Sequence, residues 1–187
     1  MLIATLDIAT CTGFVLGEPG TKPRYDLWRL KKPSDHYDVV GGEMGRKIRD
    51  LCFLADTRPD LIVFEAPIPP YQSQGDGERK DPIRRSIESI LVPQRAVGGL
   101  QAIAACYGIE VLPANMQTVR KHFTGKARWG SSKETKAAVI ARCVALGYVG
   151  PTFKDDNVCD ALALWNWACA TRGGHVPKDL VMFGASA

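Results

Sequence analysis

Several features that would fix a function at once are missing from this sequence. Its six cysteines, at positions 11, 52, 106, 143, 159 and 169, include no CxxC pair. Zinc-finger spacing is therefore excluded, and the cysteines in apolar stretches are expected to act as small buried hydrophobes. A disulfide framework is equally out of place in a domain of this size. The three histidines, His36, His122 and His175, have no evident partner for general-base chemistry, and His122 falls within a basic stretch. No apolar run approaches the ~20 residues of a membrane span. The opening MLIATLD has neither the basic start nor the apolar length of a secretory leader. Internal repeats and low-complexity tracts are also lacking, so solenoids and disordered tails are not expected. These absences leave the expectation of a soluble, reduced, intracellular protein.

What is present is an ordinary globular composition with an uneven charge. Of the 187 residues, 45% are hydrophobic and 24% charged, which suits one folded domain with a sizeable core. The net charge is only +4, but between Asn115 and Ala145 seven basic residues face the single acid Glu134. That stretch carries +6, so the remainder is slightly acidic. A concentrated basic surface suits a polyanion.

Along the chain, Leu2 to Ile8 reads as a first strand and Gly13 to Gly17 as a second, returning through a tight turn. Tyr25 to Lys31 is a third, so the opening is a meander. Helical periodicity follows from His36 to Arg58 and stops at Pro59; Gly41 and Gly42 weaken its first turn. Leu61 to Phe64 is a short, wholly apolar run, as expected of a strand covered on both faces. Ile68 to about Pro82 is rich in Pro, Gln, Ser and Gly and predicts a mobile surface loop. Ile83 to Tyr107 is helical, interrupted or restarted at Pro93, with Gly98 and Gly99 permitting close packing. Ile109 to Leu112 is a strand ended by Pro113. Asn115 caps a short helix to about Phe123. Ser132 is expected to cap another to about Leu146, and Asp155 to about Thr171 is apolar nearly all round, hence buried. The tail after Gly173 reads as irregular. The fold class is therefore α/β: a mixed sheet of about five strands, an antiparallel meander then parallel strands, with helices on both faces.

Acids interrupt these apolar elements at three places. Asp7 lies in the first strand, Glu65 ends the fourth, and Asp156 and Asp160 share a face of the last helix. An unpaired carboxylate among apolar neighbours is costly. If strands one and four are neighbours, the carboxylates can converge, and clustered like charges either raise one another's pKa or recruit a counterion. Oxygen donors without His or Cys favour Mg²⁺ or Mn²⁺ over zinc. Two such ions ~4 Å apart can activate water and stabilise the leaving oxygen of a phosphodiester.

The residues carrying this pattern are LDIATCTGF (Leu6 to Phe14), IVFEAP (Ile62 to Pro67), the basic NMQTVRKHFTG (from Asn115), KETKAAVIARCVALGY (Lys133 to Tyr148) and DDNVCDALALW (Asp155 to Trp165). In this order, over most of the chain, they resemble the RuvC-type Holliday-junction resolvases of the ribonuclease H-like superfamily, particularly the phage or prophage-like branch. The resemblance implies Asp7, Glu65 and Asp160 as metal ligands. Such proteins often place Asp or His three residues before the final aspartate, where this chain has Asn157. Asp156 is thus the preferred fourth acid, with Asn157 as second choice. The resemblance further implies hydrolysis to a 5′-phosphate and a 3′-hydroxyl, branched DNA as partner, a homodimer with two sites for symmetric cutting, and the cytoplasm of a bacterial or phage-infected cell.

On this reading Arg120, Lys121, Lys126, Arg128 and Lys133 contact phosphates, and Trp129 either stacks on an unpaired base or tucks onto the core. Tyr71 is a candidate wedge, with Arg79, Lys80, Arg84 and Arg85 near an opened branch point. The helix from Ser86 to Tyr107, with Ile87, Ile90, Leu91, Val97 and Leu100, is the candidate dimer face. Rival readings keep the fold but act on structured RNA or other branched DNA, or make the chain a non-catalytic DNA-binding scaffold. A sugar-kinase or actin-like domain needs a second lobe for which this chain is too short. The metal reading requires Asp7, Glu65 and Asp160 to gather, with none of them buried against an arginine.

Overall fold

The sheet is built from short runs whose alternate residues face opposite layers. The computed structural model describes residues 1–67 and 86–173. Its strands are β1 (Ile3–Asp7), β2 (Cys11–Gly17), β3 (Arg24–Arg29), β4 (Leu61–Glu65) and β5 (Glu110–Ala114). They lie in the order β3-β2-β1-β4-β5, with β1 antiparallel to β2 and parallel to β4. The expected meander and mixed sheet are both present. The loop expected from Ile68 to Pro82, the helix start at Ile83, and nearly all of the tail fall outside the described residues.

Among the described residues five helices cover the two faces: α1 (Val39–Phe53), α2 (Ile87–Cys106), α3 (Met116–Thr124), α4 (Ser132–Ala145) and α5 (Asp156–Arg172). Ala4, Leu6, Phe14, Leu16, Ile62 and Phe64 point to one face, where they pack with α1 and α2. Ile3, Val15, Leu61 and Val63 point to the other, under α3, α4 and α5. This period-two division is what an interior strand covered on both sides requires. Helix α5 lies deepest. Val158, Leu162, Leu164 and Trp165 are buried, each worth roughly 1.5–3 kcal/mol when fully removed from water.

Several boundaries differ from the sequence reading, each for a physical reason. Helix α2 passes through Pro93 without a break, at the cost of one intrahelical hydrogen bond. Pro113 sits inside β5 rather than ending it, because β5 is an edge strand and its outer amide needs no sheet partner. Ser131, not Ser132, caps α4: its Oγ accepts from the Glu134 N–H at 3.2 Å while Glu134 Oε2 accepts from the Ser131 N–H at 2.6 Å. Of the glycine pair in α2 only Gly99 serves close packing. A Cβ built there would lie 2.1 Å from the Gly41 carbonyl oxygen, whereas one on Gly98 would meet nothing within 4 Å. On the proposed dimer face Leu100 is part of the core, whereas Ile87 is exposed.

Candidate active site

Alternation along two neighbouring strands sets the first two acids side by side. On β1, Ile3 and Thr5 face α5, so Asp7 faces it too. On β4, Leu61 and Val63 do the same, and so does Glu65. The parallel register pairs Ile3 with Leu61 and Leu6 with Phe64, so the next step brings Asp7 beside Glu65. The two side chains share a hydrogen bond. Asp7 is only 7% exposed. Burial first, then the Glu65 hydrogen bond and the charges of Glu65 and Asp160, hold its carboxyl well above the usual aspartate range.

Two contacts set the position of α5 over this pair. Thr5 Oγ1 donates to the Ala161 carbonyl at 2.8 Å, tying the strand to the helix beside Asp160. Gly13, opposite Asp7 on β2, leaves room for the start of the helix: a Cβ there would lie 2.0 Å from the Asn157 carbonyl oxygen. Asp155 caps α5, its Oδ1 accepting from the Val158 N–H at 2.9 Å. Asp160 therefore projects from the second turn toward the strand acids, 6% exposed and within electrostatic reach of both.

A fourth group stands among these three acids, and it is cationic. Arg120, on the margin of α3 beside the buried Val119, reaches Asp160 through Nη2 to Oδ2 at 2.7 Å and Nε to Oδ1 at 3.4 Å. Burial raises the Asp160 carboxyl, and the guanidinium pulls it back only in part. Against its own desolvation, Arg120 is held protonated by Asp160, Glu65 and Asp7 together. Asp156 stands at the more open rim and pairs with Lys136, whose hydrogen bond lowers the carboxyl below its ordinary range. Among the described residues no group of three or more His, Cys, Asp or Glu is drawn together to hold a metal ion as it stands. The requirement that no acid be buried against an arginine is not met. Arg120, expected on the phosphate-binding surface, is instead engaged with Asp160. The donor set is nonetheless all oxygen, the chemistry of Mg²⁺ or Mn²⁺.

The remaining expected DNA contacts are placed as follows. Lys121, Lys126, Arg128 and Lys133 are exposed. Trp129 is half-buried: its Nε1 donates to Thr124 Oγ1 at 3.0 Å, and Lys126 Nζ lies 4.7 Å from the ring centre. Tyr71, Arg79, Lys80, Arg84 and Arg85 lie outside the described residues. His122 does not belong to the basic surface. Its Nε2 is buried beside Asn166 of α5, and burial lowers its pKa.

No protein-family profile and no curated protein sequence matches this chain. Solved structures do. The chain is similar to RuvC from Thermus thermophilus at 16% identity, over 92% of this chain and 97% of that one, with a TM-score of 0.63. It is similar to T. thermophilus RuvC in complex with Holliday junction substrate at 15% identity, over 92% and 97%, with a TM-score of 0.64. The yeast mitochondrial Holliday junction resolvase Ydc2 matches at 9% identity, over 86% of this chain and 74% of that one, with a TM-score of 0.55. This chain has the RuvC fold.

Within that fold, sequence reasoning found the acids and missed what holds them. Arg120 was legible only as one member of a basic run. Its place four residues after the buried Met116 and one after the buried Val119, at the edge of the inward face of α3, was the available signal. Lys136 was likewise counted as surface charge. Gly13 and Thr5 carry no signal beyond lying beside Asp7 in a tight opening.

Proposed function

We propose that this protein is a divalent-metal-dependent, structure-selective DNA endonuclease that resolves four-way junctions by paired phosphodiester hydrolysis. The observation that carries the reading is the hydrogen-bonded Asp7–Glu65 carboxyl pair, with Asp160 facing it from α5. It occurs in a fold shared with two resolvases, one of them solved with a Holliday junction. The reading takes residues 1–187 as one ribonuclease H-like domain of a cytoplasmic protein, related to the phage or prophage-like branch and acting as a homodimer. Among the described residues no helix is long and apolar enough to cross a membrane.

Asp7, Glu65 and Asp160, with Asp156 or Asn157, are the groups that would hold one or two Mg²⁺ or Mn²⁺ ions. Such ions supply an activated water and stabilise the leaving oxygen. The Arg120–Asp160 pair counts against the metal reading as first framed, so the reading now requires that Arg120 give up Asp160 when a cation binds. In the metal-free protein burial, and then the Glu65 carboxyl beside it, favour the protonated form of Asp7. Lys121, Lys126, Arg128 and Lys133 hold phosphates and fix the duplex without reading its sequence. The Trp129 ring, flanked by Lys126, offers a stacking surface for an unpaired base.

The test is a synthetic mobile four-way junction incubated with the purified protein, with and without Mg²⁺ or Mn²⁺. Paired nicks that need the metal and vanish in Asp7→Asn and Asp160→Asn are expected. Undiminished cutting in both variants would reject the assigned site. Flap and structured-RNA substrates alongside separate a junction resolvase from a nuclease of other specificity.

A further inference from the structure

Four acids stand at the candidate site, and two of them are already paired by cations belonging to the protein. The pairs are unequal. Lys136 and Asp156 meet at the rim, where both side chains are substantially solvated and the contact is weak and easily released. Arg120 and Asp160 meet inside, with the guanidinium fork on both carboxylate oxygens and the two side chains only 24% and 8% exposed. Arg120 also feels Glu65 and Asp7. It is thus the cation seated deepest in the cluster, whereas Lys136 acts on Asp160 and Asp7 from the rim.

We propose that Arg120 is a resident counterion that a divalent cation must displace, so that metal binding and release of Arg120 from Asp160 are one exchange. The proposal rests on the metal-dependent reading of the site. Its logic is competition for one carboxylate: Asp160 Oδ1 and Oδ2 each accept from the guanidinium, and a divalent cation on either oxygen sets its charge against Arg120 and loosens the fork. Leaving the cluster with neither partner would strand buried like charges. The exchange therefore holds the pocket near one level of compensation before and after loading. By linkage, the metal weakens the Arg120–Asp160 contact by the same factor as that contact weakens the metal.

The experiment is titration of the full-length, metal-free protein with Ca²⁺ and with Mn²⁺, followed by calorimetry and by thermal unfolding. Arg120→Gln is compared with Lys121→Gln, which removes the same charge from the next residue of α3 without touching Asp160. Arg120→Gln is expected to lower the metal-free melting temperature and to bind the cation about ten-fold more tightly than wild type. Lys121→Gln is expected to shift affinity much less. In wild-type protein the Arg120 Nε–H resonance is expected to be sharp and slow to exchange without metal, and to move or broaden as Ca²⁺ saturates the site. Should Arg120→Gln fail to fold, Arg120→Lys and the wild-type resonance carry the test. The lysine variant keeps the charge but loses the fork, and should bind more tightly than wild type. Equal shifts in the two glutamine variants reduce Arg120 to a general electrostatic effect and overturn the proposal. So does an Arg120 resonance indifferent to a cation that demonstrably binds. If wild type binds no divalent cation at all, or binds one unaffected by Asp7→Asn, the metal-dependent reading itself falls, and this inference with it.

Discussion

Asp7 is a carboxyl kept in a place that suits its neutral form. Its folded pKa lies above the unfolded value of about 3.9, so the unfolded chain holds fewer protons between those two points. Stability contributed by protonated Asp7 is complete below the unfolded value and is lost as pH rises through the folded one. An amide at this position donates to Glu65 without carrying charge. Asp7→Asn is therefore expected to raise the metal-free melting temperature at pH 7 by roughly 2–4 °C while abolishing cleavage. The gain should shrink toward pH 4, as a pH series of thermal melts would show. A variant that melts lower at pH 7 would mean that Asp7 is already compensated in the folded state. Asp156 has the opposite sign, since Lys136 depresses its pKa. Its contribution is present above the unfolded value and fades as pH falls through the folded one.

At the scale of the element, the site depends on how closely α5 can approach the sheet. Gly13→Ala forces a methyl onto the Asn157 carbonyl, so the first turn of α5 must lift and carry Asp160 with it. A stability loss of about 1–3 kcal/mol with a large loss of cleavage is expected, read from denaturant midpoints and junction assays. Gly42→Ala is the contrast. Gly42 is exposed within α1 and a Cβ there meets nothing, so relief of chain entropy should stabilise by about 0.5–1 kcal/mol with cleavage unchanged. The elements themselves were largely legible, because apolar spacing in β1, β4 and α5 follows burial closely. The errors fell where tertiary position overrides local preference. Pro113 reads as a stop unless one knows that β5 is at the edge. Pro93 reads as a break unless α2 is known to be held by α1 on its inner side. Asp7 and Glu65 were legible as site residues because a carboxylate in an apolar strand is an anomaly that sequence displays. Arg120 was not, since a basic residue among basic residues looks the same whether it faces solvent or a buried acid.

Around the candidate site, Arg120 and Lys136 apart, charge is separated by depth. Acids collect where β1, β4 and α5 meet, whereas Lys121, Lys126, Arg128 and Lys133 stay exposed around α3, the loop after it and the start of α4. Binding of a junction by such a surface should fall steeply with salt, and each removed phosphate contact should lower the slope of log affinity against log salt by about one. Lys126→Ala and Lys133→Ala, measured by anisotropy on a labelled four-way junction in Ca²⁺, should each show this reduction. A slope unaltered by both would place the DNA elsewhere.

The Thr5 hydroxyl joins these scales. It sits two residues before Asp7 and donates to the carbonyl next to Asp160, and with the buried bond from Trp165 Nε1 to the Gly17 carbonyl it registers α5 on the strands it covers. The gap between strand acid and helix acid is thereby gauged locally, and is insulated from wear elsewhere in the core. Sequence drift in the outer helices can then proceed with little retuning of the chemistry, provided that these pegs stay in their holes.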